Sequence, residues 1–429
     1  MKRFRSIIST LFHLALSKTA VNTYFVFFGN GLSAFFAFIF TVMYTNNLSW
    51  VDVGYFSALL SLLLLVSDLS DVGIGTSLSN FLPPLEGTKE KLLAFLKTAF
   101  LLQFVIAFTA TLVLFLLSGI LGEILFHTNT HNILLQITFI GILFTIFANF
   151  CQYALSARQK FLQVSFLSAF GGLIRLLLFL VIYIFATVHL SNTVYVQTFS
   201  VLILMIMSLF LLGIDFIKVK RISGDLIKLL KFTSFLGIAR GLTALASRLD
   251  VLMIISLRGP TEAGIYATAS RIIAIYPLLS GSFGTVIAPK LSTFSERKGL
   301  KKFMLKVIMG TIGLIGTVLV LILVAKPFML LLFPQKGIEA ISVFQLLLVS
   351  MIFFVGSLPA VSLAIYHLKK PHILTINSVL QLIIVFFGNL IFIPKFGHFG
   401  ASYSLIIAYS ITLFSTSAMT LYYLKKKHA

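Results

Sequence analysis

Acidic residues are scarce in this chain. Asp and Glu together number 12 among 429 residues, against 33 Lys and Arg. Charge of either sign amounts to 10%, where a soluble globular domain carries about 25%. Cysteine is nearly absent too. Cys151 stands alone, so no disulfide can form within the chain, and its apolar surroundings read as those of a small core residue. Also missing are a glycine-rich phosphate loop ending in lysine, a serine–histidine–acid constellation, and paired carboxylates in a soluble segment. His127 and His131 share helical spacing, but they fall in a short polar turn with no third ligand nearby, so no metal site is expected. These absences exclude the common soluble hydrolase and nucleotidase designs.

What is abundant is apolar sequence. Hydrophobic residues make up 59% of the chain, 45 of them Phe, and the mean hydropathy is +1.06. Apolar runs long enough to cross about 30 Å of hydrocarbon recur throughout. The ten-residue alternation of a membrane barrel is lacking. The expected fold class is therefore an all-α polytopic membrane protein. Twelve transmembrane helices are expected, over 20–45, 52–83, 92–118, 133–155, 161–187, 193–213, 230–256, 263–289, 303–325, 341–367, 373–393 and 400–424. Pro83-Pro84, Gly259-Pro260, Pro289, Pro327, Pro334, Pro371 and Pro394 fall at or near span ends, where helix breakers belong.

Basic residues divide unevenly between alternate connectors. One set holds the N-terminal tail, Lys89/Lys91/Lys97, Arg158/Lys160, the 218–231 cluster, the 290–306 cluster, Lys369/Lys370 and Lys425/Lys426/Lys427, 25 residues in all. The other holds only Arg258, Lys326, Lys336 and Lys395. Short cytoplasmic loops carry the excess of Lys and Arg, so both termini are expected in the cytoplasm. The net charge of +21 is thus a topology signal, and no nucleic-acid partner is implied. Residues 1–19 read as a cytoplasmic amphipathic tail rather than a signal peptide, for want of a small-residue cleavage site.

The connector 214–229 divides the spans into an N-terminal six (20–213) and a C-terminal six (230–424), with a basic tail at 425–429. Asp52-Val53-Gly54-Tyr55 is echoed 210 positions later by Glu262-Ala263-Gly264-Ile265. Two lobes of like topology around a central substrate site are an established transporter plan.

Four arginines remain after the loops are assigned: Arg175, Arg240, Arg248 and Arg271. An arginine at mid-membrane costs roughly 2.5–3.5 kcal/mol on insertion scales, so such residues face a bundle interior. Arg240 and Arg248, eight positions apart, lie within about 80° on one helix side. Ser234, Gly237, Gly241, Ala244 and Ser247 leave room beside them. A guanidinium fork binds phosphate oxygens bidentately, so an anionic cargo is expected. With three of the four on the seventh and eighth spans, the cationic wall should lie in the C-terminal half. The bland alternative is that Asp68, Asp71 and Asp250 neutralise these arginines as buried ion pairs. The same carboxylates are candidates for a coupling-ion site.

Three passages, taken in order, resemble a known family. They are the stretch from Asp250 through Arg258-Gly259-Pro260-Thr261-Glu262-Ala263-Gly264-Ile265-Tyr266 to Arg271 and Pro289, the basic hinge from Cys151 through Arg158-Gln159-Lys160-Phe161, and Ile393-Pro394-Lys395-Phe396-Gly397-His398-Phe399-Gly400-Ala401. The chain is similar to polysaccharide-transport (O-antigen) flippases. These sit within the superfamily that also holds multidrug extruders and lipid II flippases. The resemblance implies a non-enzymatic role: moving undecaprenyl-pyrophosphate-linked oligosaccharide, destined for O-antigen, lipopolysaccharide or capsule, across the bacterial cytoplasmic membrane. It implies alternating access, no cofactor beyond a coupling Na⁺ or H⁺, and as partners the lipid-linked cargo, membrane lipids, a polysaccharide polymerase and a chain-length regulator. Ser79-Asn80 stands where many relatives carry an arginine. A cation-coupled multidrug exporter and a membrane-embedded polymerase or ligase are the competing readings. The latter would need a large external loop, which the short connectors do not provide.

Overall fold

The computed structural model describes residues 18–220, 224–293 and 297–428. The N-terminal tail thus lies almost wholly outside the described residues, as do several side chains between 225 and 240, Arg240's among them. The described chain is helical, with no strand. Its helices are α1 (Lys18–Asn47), α2 (Trp50–Ser70), α3 (Ile74–Phe81), α4 (Lys89–Leu116), α5 (Ser118–Phe126), α6 (Asn132–Ala157), α7 (Phe161–Phe185), α8 (Leu190–Leu212) and α9 (Asp225–Arg258). They continue with α10 (Pro260–Ile273), α11 (Ile275–Thr293), α12 (Arg297–Leu323), α13 (Ala325–Leu332), α14 (Gly337–Gly356), α15 (Leu358–Ser362), α16 (His372–Phe396) and α17 (His398–His428).

Eleven helices among the described residues are long and apolar enough to cross a membrane. The twelfth expected span corresponds to α9, whose central stretch holds Arg240, Arg248 and Asp250. Large apolar side chains cover the exterior, Leu323 at 83% and Phe185 at 82% exposure among them. Water would not tolerate so much contiguous apolar surface, and lipid does.

Three expected spans are broken well inside their bounds, and each of these breaks has a local cause. The segment expected as 52–83 divides into α2 and α3 because Val72 and Gly73 take left-handed φ of 44° and 84°. The Asp71 carboxylate accepts from the Gly75 N–H at 2.9 Å and caps the new helix. Pro277 cannot donate to the Ile273 carbonyl, and the helix parts there between α10 and α11. Pro359 does the same at Val355, separating α14 from α15.

Packing partners recur in order. In the first half α1 packs on α7, α6 on α8, α4 on α6, α2 on α6, and α7 on α8. In the second, α9 packs on α16, α14 on α17, α12 on α14, α10 on α14, and α16 on α17. Helix α2 joins the two halves by packing on both α10 and α9. Its crossing with α10 is reciprocal. A Cβ at Gly54 would meet the Pro260 carbonyl at 1.8 Å, and one at Gly264 would meet the Trp50 carbonyl at 2.5 Å. The glycines permit backbone contact that any side chain would forbid.

One face of the bundle carries the turns near 47–49, 127–131, 259 and 333–336, and is called the hairpin face. The opposite, linker face carries 213–220. The halves meet at the hairpin face through specific bonds. Asn46 Nδ2 donates to the Leu332 carbonyl at 2.8 Å, and Ser256 Oγ donates to that of Ile124 at 2.8 Å. The turn before α17 is held by a residue far away in sequence. The Glu262 carboxylate accepts from the His398 backbone N–H at 2.7 Å and from Arg258 Nε at 3.1 Å. Gly397 has φ +61°, and a Cβ there would meet that same carboxylate.

Candidate functional site

The aromatic residues of α1 make the first part of the site. Phe40 and Tyr44 are one helical turn apart and both are buried. Their rings lie 5.2 Å apart, with Phe179 of α7 edge-on to Phe40 at 5.2 Å and Phe56 of α2 edge-on to Tyr44 at 5.0 Å. Edge-to-face pairs of this kind fix ring orientation.

Two of the sequence-identified arginines come to this cluster from opposite halves. The Arg175 guanidinium sits 5.0 Å from the Phe40 ring centre, and that of Arg271 sits 5.4 Å from Tyr44 and 5.8 Å from Phe56. Arg175 Nη1 donates to Gln197 Oε1 at 3.2 Å, and Arg271 Nη1 donates to the Tyr44 hydroxyl. Cation–π contact stabilises each by about 0.5–2 kcal/mol. It leaves the positive charge in place, because a ring face and a neutral oxygen neutralise nothing.

Arg248 is the third member. Arg271 lies within electrostatic reach of both Arg175 and Arg248, and Arg248 lies within that of Asp68 and Asp250 as well. Among the described residues no carboxylate forms an ion pair with Arg175, Arg248 or Arg271. Arg175 and Arg248 each keep a buried Nε–H without a hydrogen-bond partner. Such donors are expensive to bury unless something accepts from them. The cationic wall expected in the C-terminal half is joined by Arg175 from the first half. Arg175 of α7 shares the aromatic cluster with Arg271 of α10, because α1 and α2 carry the rings between them. Arg240 is on α9, but its side chain lies outside the described residues.

The carboxylates take different places. Asp250 accepts from the Tyr266 hydroxyl at 2.5 Å and from the Val251 N–H at 3.0 Å. It is buried within the second half, and its bonding partners are these donors rather than an arginine. Asp68 and Asp71 line a cavity of about 530 Å³ between α2, α4, α6, α9 and α16. Asp68 is exposed and Asp71 buried. The wall formed by α4 and α6 contributes Gln103, Asn149, Phe150 and Tyr153. The facing wall contributes Thr243 and Ser247 from α9, and Thr375 and Ser378 from α16. Phe56, at the arginine cluster, and Asp68 are twelve residues apart on α2, or about 18 Å along its axis. The site therefore has two tiers: cationic and aromatic toward the hairpin face, carboxylate and hydroxyl toward the linker face.

Sequence reasoning passed over Phe40, Tyr44 and Gln197. Two rings among 45 Phe and 13 Tyr carry no distinguishing pattern. The signal available was a tyrosine at membrane depth, whose hydroxyl requires a partner.

Comparison with known proteins completes the picture. The sequence matches the family described as "Polysaccharide biosynthesis protein" over residues 20–295. No curated protein matches it. The fold is similar to that of a lipid II flippase, MurJ, in an inward closed conformation, with TM-score 0.69, 17% identity, and coverage of 92% of this chain and 86% of that one. It is also similar to an inward-facing multidrug resistance MATE transporter, with TM-score 0.73, 13% identity, and coverage of 94% and 95%. An outward-facing MATE transporter gives 0.62 at 13% identity, covering 93% of each chain. These structural neighbours are described as a flippase and as multidrug transporters. With the family matched across more than half its length, this multi-pass chain belongs to the polysaccharide biosynthesis protein family, on a fold that it shares with those neighbours across nearly all of its length.

Proposed function

We propose that the chain is a flippase for undecaprenyl-pyrophosphate-linked oligosaccharide units of O-antigen, capsule or a similar polysaccharide. It works in the bacterial cytoplasmic membrane by alternating access. The observation that carries this reading is the pair Arg175 and Arg271, which meet on aromatic rings and neutral oxygens and form no ion pair among the described residues, with Arg248 close by. A pyrophosphate supplies the oxygens that the free guanidinium donors lack. The polyprenyl tail stays in lipid while the headgroup crosses between the halves.

The same reading takes the bundle as twelve spans in two six-helix lobes, 20–213 and 230–424, with 214–229 between them and both termini cytoplasmic. The recurring packing order supports it, as does the reciprocal approach of Gly54 to Pro260 and Gly264 to Trp50, the isologous contact expected of a two-fold axis. With the hairpin face external, the interlobe bonds at Asn46 and Ser256 close the outer side, and the 530 Å³ cavity faces inward. Asp250, held by Tyr266, is the carboxylate that couples transport to Na⁺ or H⁺.

A drug-cation exporter would draw on Asp68 and Asp71 in the cavity, but a cation would then have to pass the arginine tier. The test is flipping of fluorescent undecaprenyl-pyrophosphate-linked oligosaccharide in proteoliposomes. Arg175→Ala and Arg271→Ala should each abolish it, with the protein still inserted. Unchanged flipping in the double variant would sink the assignment.

A further inference from the structure

A second cavity, of about 380 Å³, lies where helix ends of the first half meet the start of the linker. Its size is within the range of about 300–1,000 Å³ usual for small-ligand pockets. From it we infer a binding site for a phospholipid headgroup that carries both a phosphate and a primary ammonium, of the phosphatidylethanolamine type. The site shares no residue with the arginine cluster or the larger cavity, and it stands whether or not the flippase reading does.

Three observations carry it. The first is the state of the charges. Lys89, Arg158 and Lys160 line the cavity together with Glu86 and Asp215. Arg158 Nε donates to Glu86 Oε1 at 3.4 Å, so these two form a pair. Lys89, Lys160 and Asp215 form no ion pair among the described residues. Two ammoniums and one carboxylate therefore remain for a ligand. Burial and the neighbouring Arg158 push the Lys160 pKa down, with Glu86 acting in the opposite direction. A phosphate diester supplies Lys89 and Lys160 with oxygens, and an ethanolamine nitrogen gives Asp215 a charged N–H donor. A glycerol headgroup leaves Asp215 without a counter-charge, and a choline nitrogen offers it no N–H.

The second observation is a gradient of polarity. Lys89, Leu92, Leu93 and Leu96 line the cavity at i, i+3, i+4 and i+7, one face of α4. Over about 10 Å of helix axis the wall passes from charge at the helix end to hydrocarbon. A phospholipid has the same order, from headgroup to acyl chain, whereas a soluble phosphate has no group to set against the leucines. Lipid has access to this helix, because α4 is an outer helix with Phe104, Val105 and Phe108 exposed.

The third observation is that the linker wall is fixed. Lys97 Nζ donates to the carbonyls of Ile217 and Val219 at 2.7 and 2.8 Å. Phe216, in the cavity wall, is buried with its ring 5.3 Å from that of Phe100. Asp215 is thus presented from a turn held against α4, and a pre-organised site loses less to ordering when it binds. A headgroup seated here touches α4, the hinge between α6 and α7, and the start of the linker at once.

The experiment uses the full chain, stripped of lipid in detergent and titrated by native mass spectrometry. The probes are phosphatidylethanolamine, phosphatidylglycerol and phosphatidylcholine with identical acyl chains, and O-phosphoethanolamine as a soluble competitor. The wild type should bind phosphatidylethanolamine about tenfold tighter than either other lipid. Asp215→Asn should bring the three lipids to similar affinity. Lys89→Gln combined with Lys160→Gln should weaken phosphatidylethanolamine about tenfold or more. Lys89 and Asp215 are exposed, so replacing them leaves the packing intact. Lys326→Gln, exposed at the start of α13, is the control and should change nothing. Equal wild-type affinity for the three lipids overturns the site, as does phosphatidylethanolamine binding indifferent to the lysine pair and to Asp215. Displacement of the lipid by an equal concentration of O-phosphoethanolamine overturns the lipid assignment and gives the cavity to a soluble phosphoamine.

Discussion

The ammonium of Lys336, in the turn before α14, donates to the backbone carbonyl of Thr45 near the end of α1 across 2.7 Å. It also donates to the Leu48 carbonyl and lies 5.6 Å from the Trp50 ring centre. The last carbonyls of a helix are short of donors and lie at the negative end of its dipole. Lys336 supplies both needs from the other half of the molecule. Burial pushes its pKa down, with Asp52 and Glu339 acting in the opposite direction.

Lys336→Met should therefore loosen the hairpin face. The stem survives and the charged hydrogen bonds go, a loss of about 1.5–3 kcal/mol. Spin labels at Asn47→Cys and Glu339→Cys, both exposed sites, should report a smaller short-distance population in the variant. An identical distance distribution would show that other contacts hold this face.

Arg271→Lys should bind undecaprenyl pyrophosphate at least about tenfold more weakly than the wild type, despite keeping its charge, because an ammonium cannot replace a planar fork. Tyr44→Phe keeps the ring and loses only the hydroxyl that accepts from Arg271. It should cost about 1 kcal/mol of thermal stability and little affinity. Titration of both variants separates guanidinium geometry from the cage that positions it.

Tyr266→Phe removes the hydroxyl donor from buried Asp250, and a buried group short of a partner costs about 1–3 kcal/mol. A lowered melting temperature is expected. Asp250→Asn should melt closer to wild type, yet proteoliposome flipping should become indifferent to an imposed Na⁺ or pH gradient. Gradient-driven flipping that persists in this variant removes Asp250 from the coupling role.

Gly54→Val should be poorly tolerated, since its Cβ would overlap the Pro260 carbonyl. Overpacking costs about 1–3 kcal/mol or more when backbone cannot yield. Gly31→Ala is the control. Nothing lies within 4 Å of a Cβ there, and helix propensity alone predicts a gain of about 0.5–1 kcal/mol. Comparing the yield of folded protein in detergent tests the pair.

Much of this architecture was legible from local sequence. Span positions follow from hydropathy, because the need to match apolar length to the bilayer acts on each segment separately. The breaks at Pro277 and Pro359, inside spans expected to be continuous, needed only a missing N–H and were passed over. The membrane depth of Arg175, Arg248 and Arg271 was equally plain. Their companions were not. Whether Asp250 would face Arg248 or Tyr266 depends on a choice among neighbouring helices, and all the sequence offered was a list of acids.

The Gly54–Gly264 echo marks the same boundary between the two kinds of information. The sequence by itself determined that the chain is helical and membrane-bound, and that two glycine-bearing segments recur 210 positions apart. Each of those facts depends on residues within a few helical turns. Only tertiary structure decided that the two segments cross each other. It also placed Arg175 and Arg271 on one aromatic cluster and parted the carboxylates of Asp68 and Asp71 from it. Those outcomes rest on close packing between distant helices, where the fit of one side chain depends on every neighbour at once.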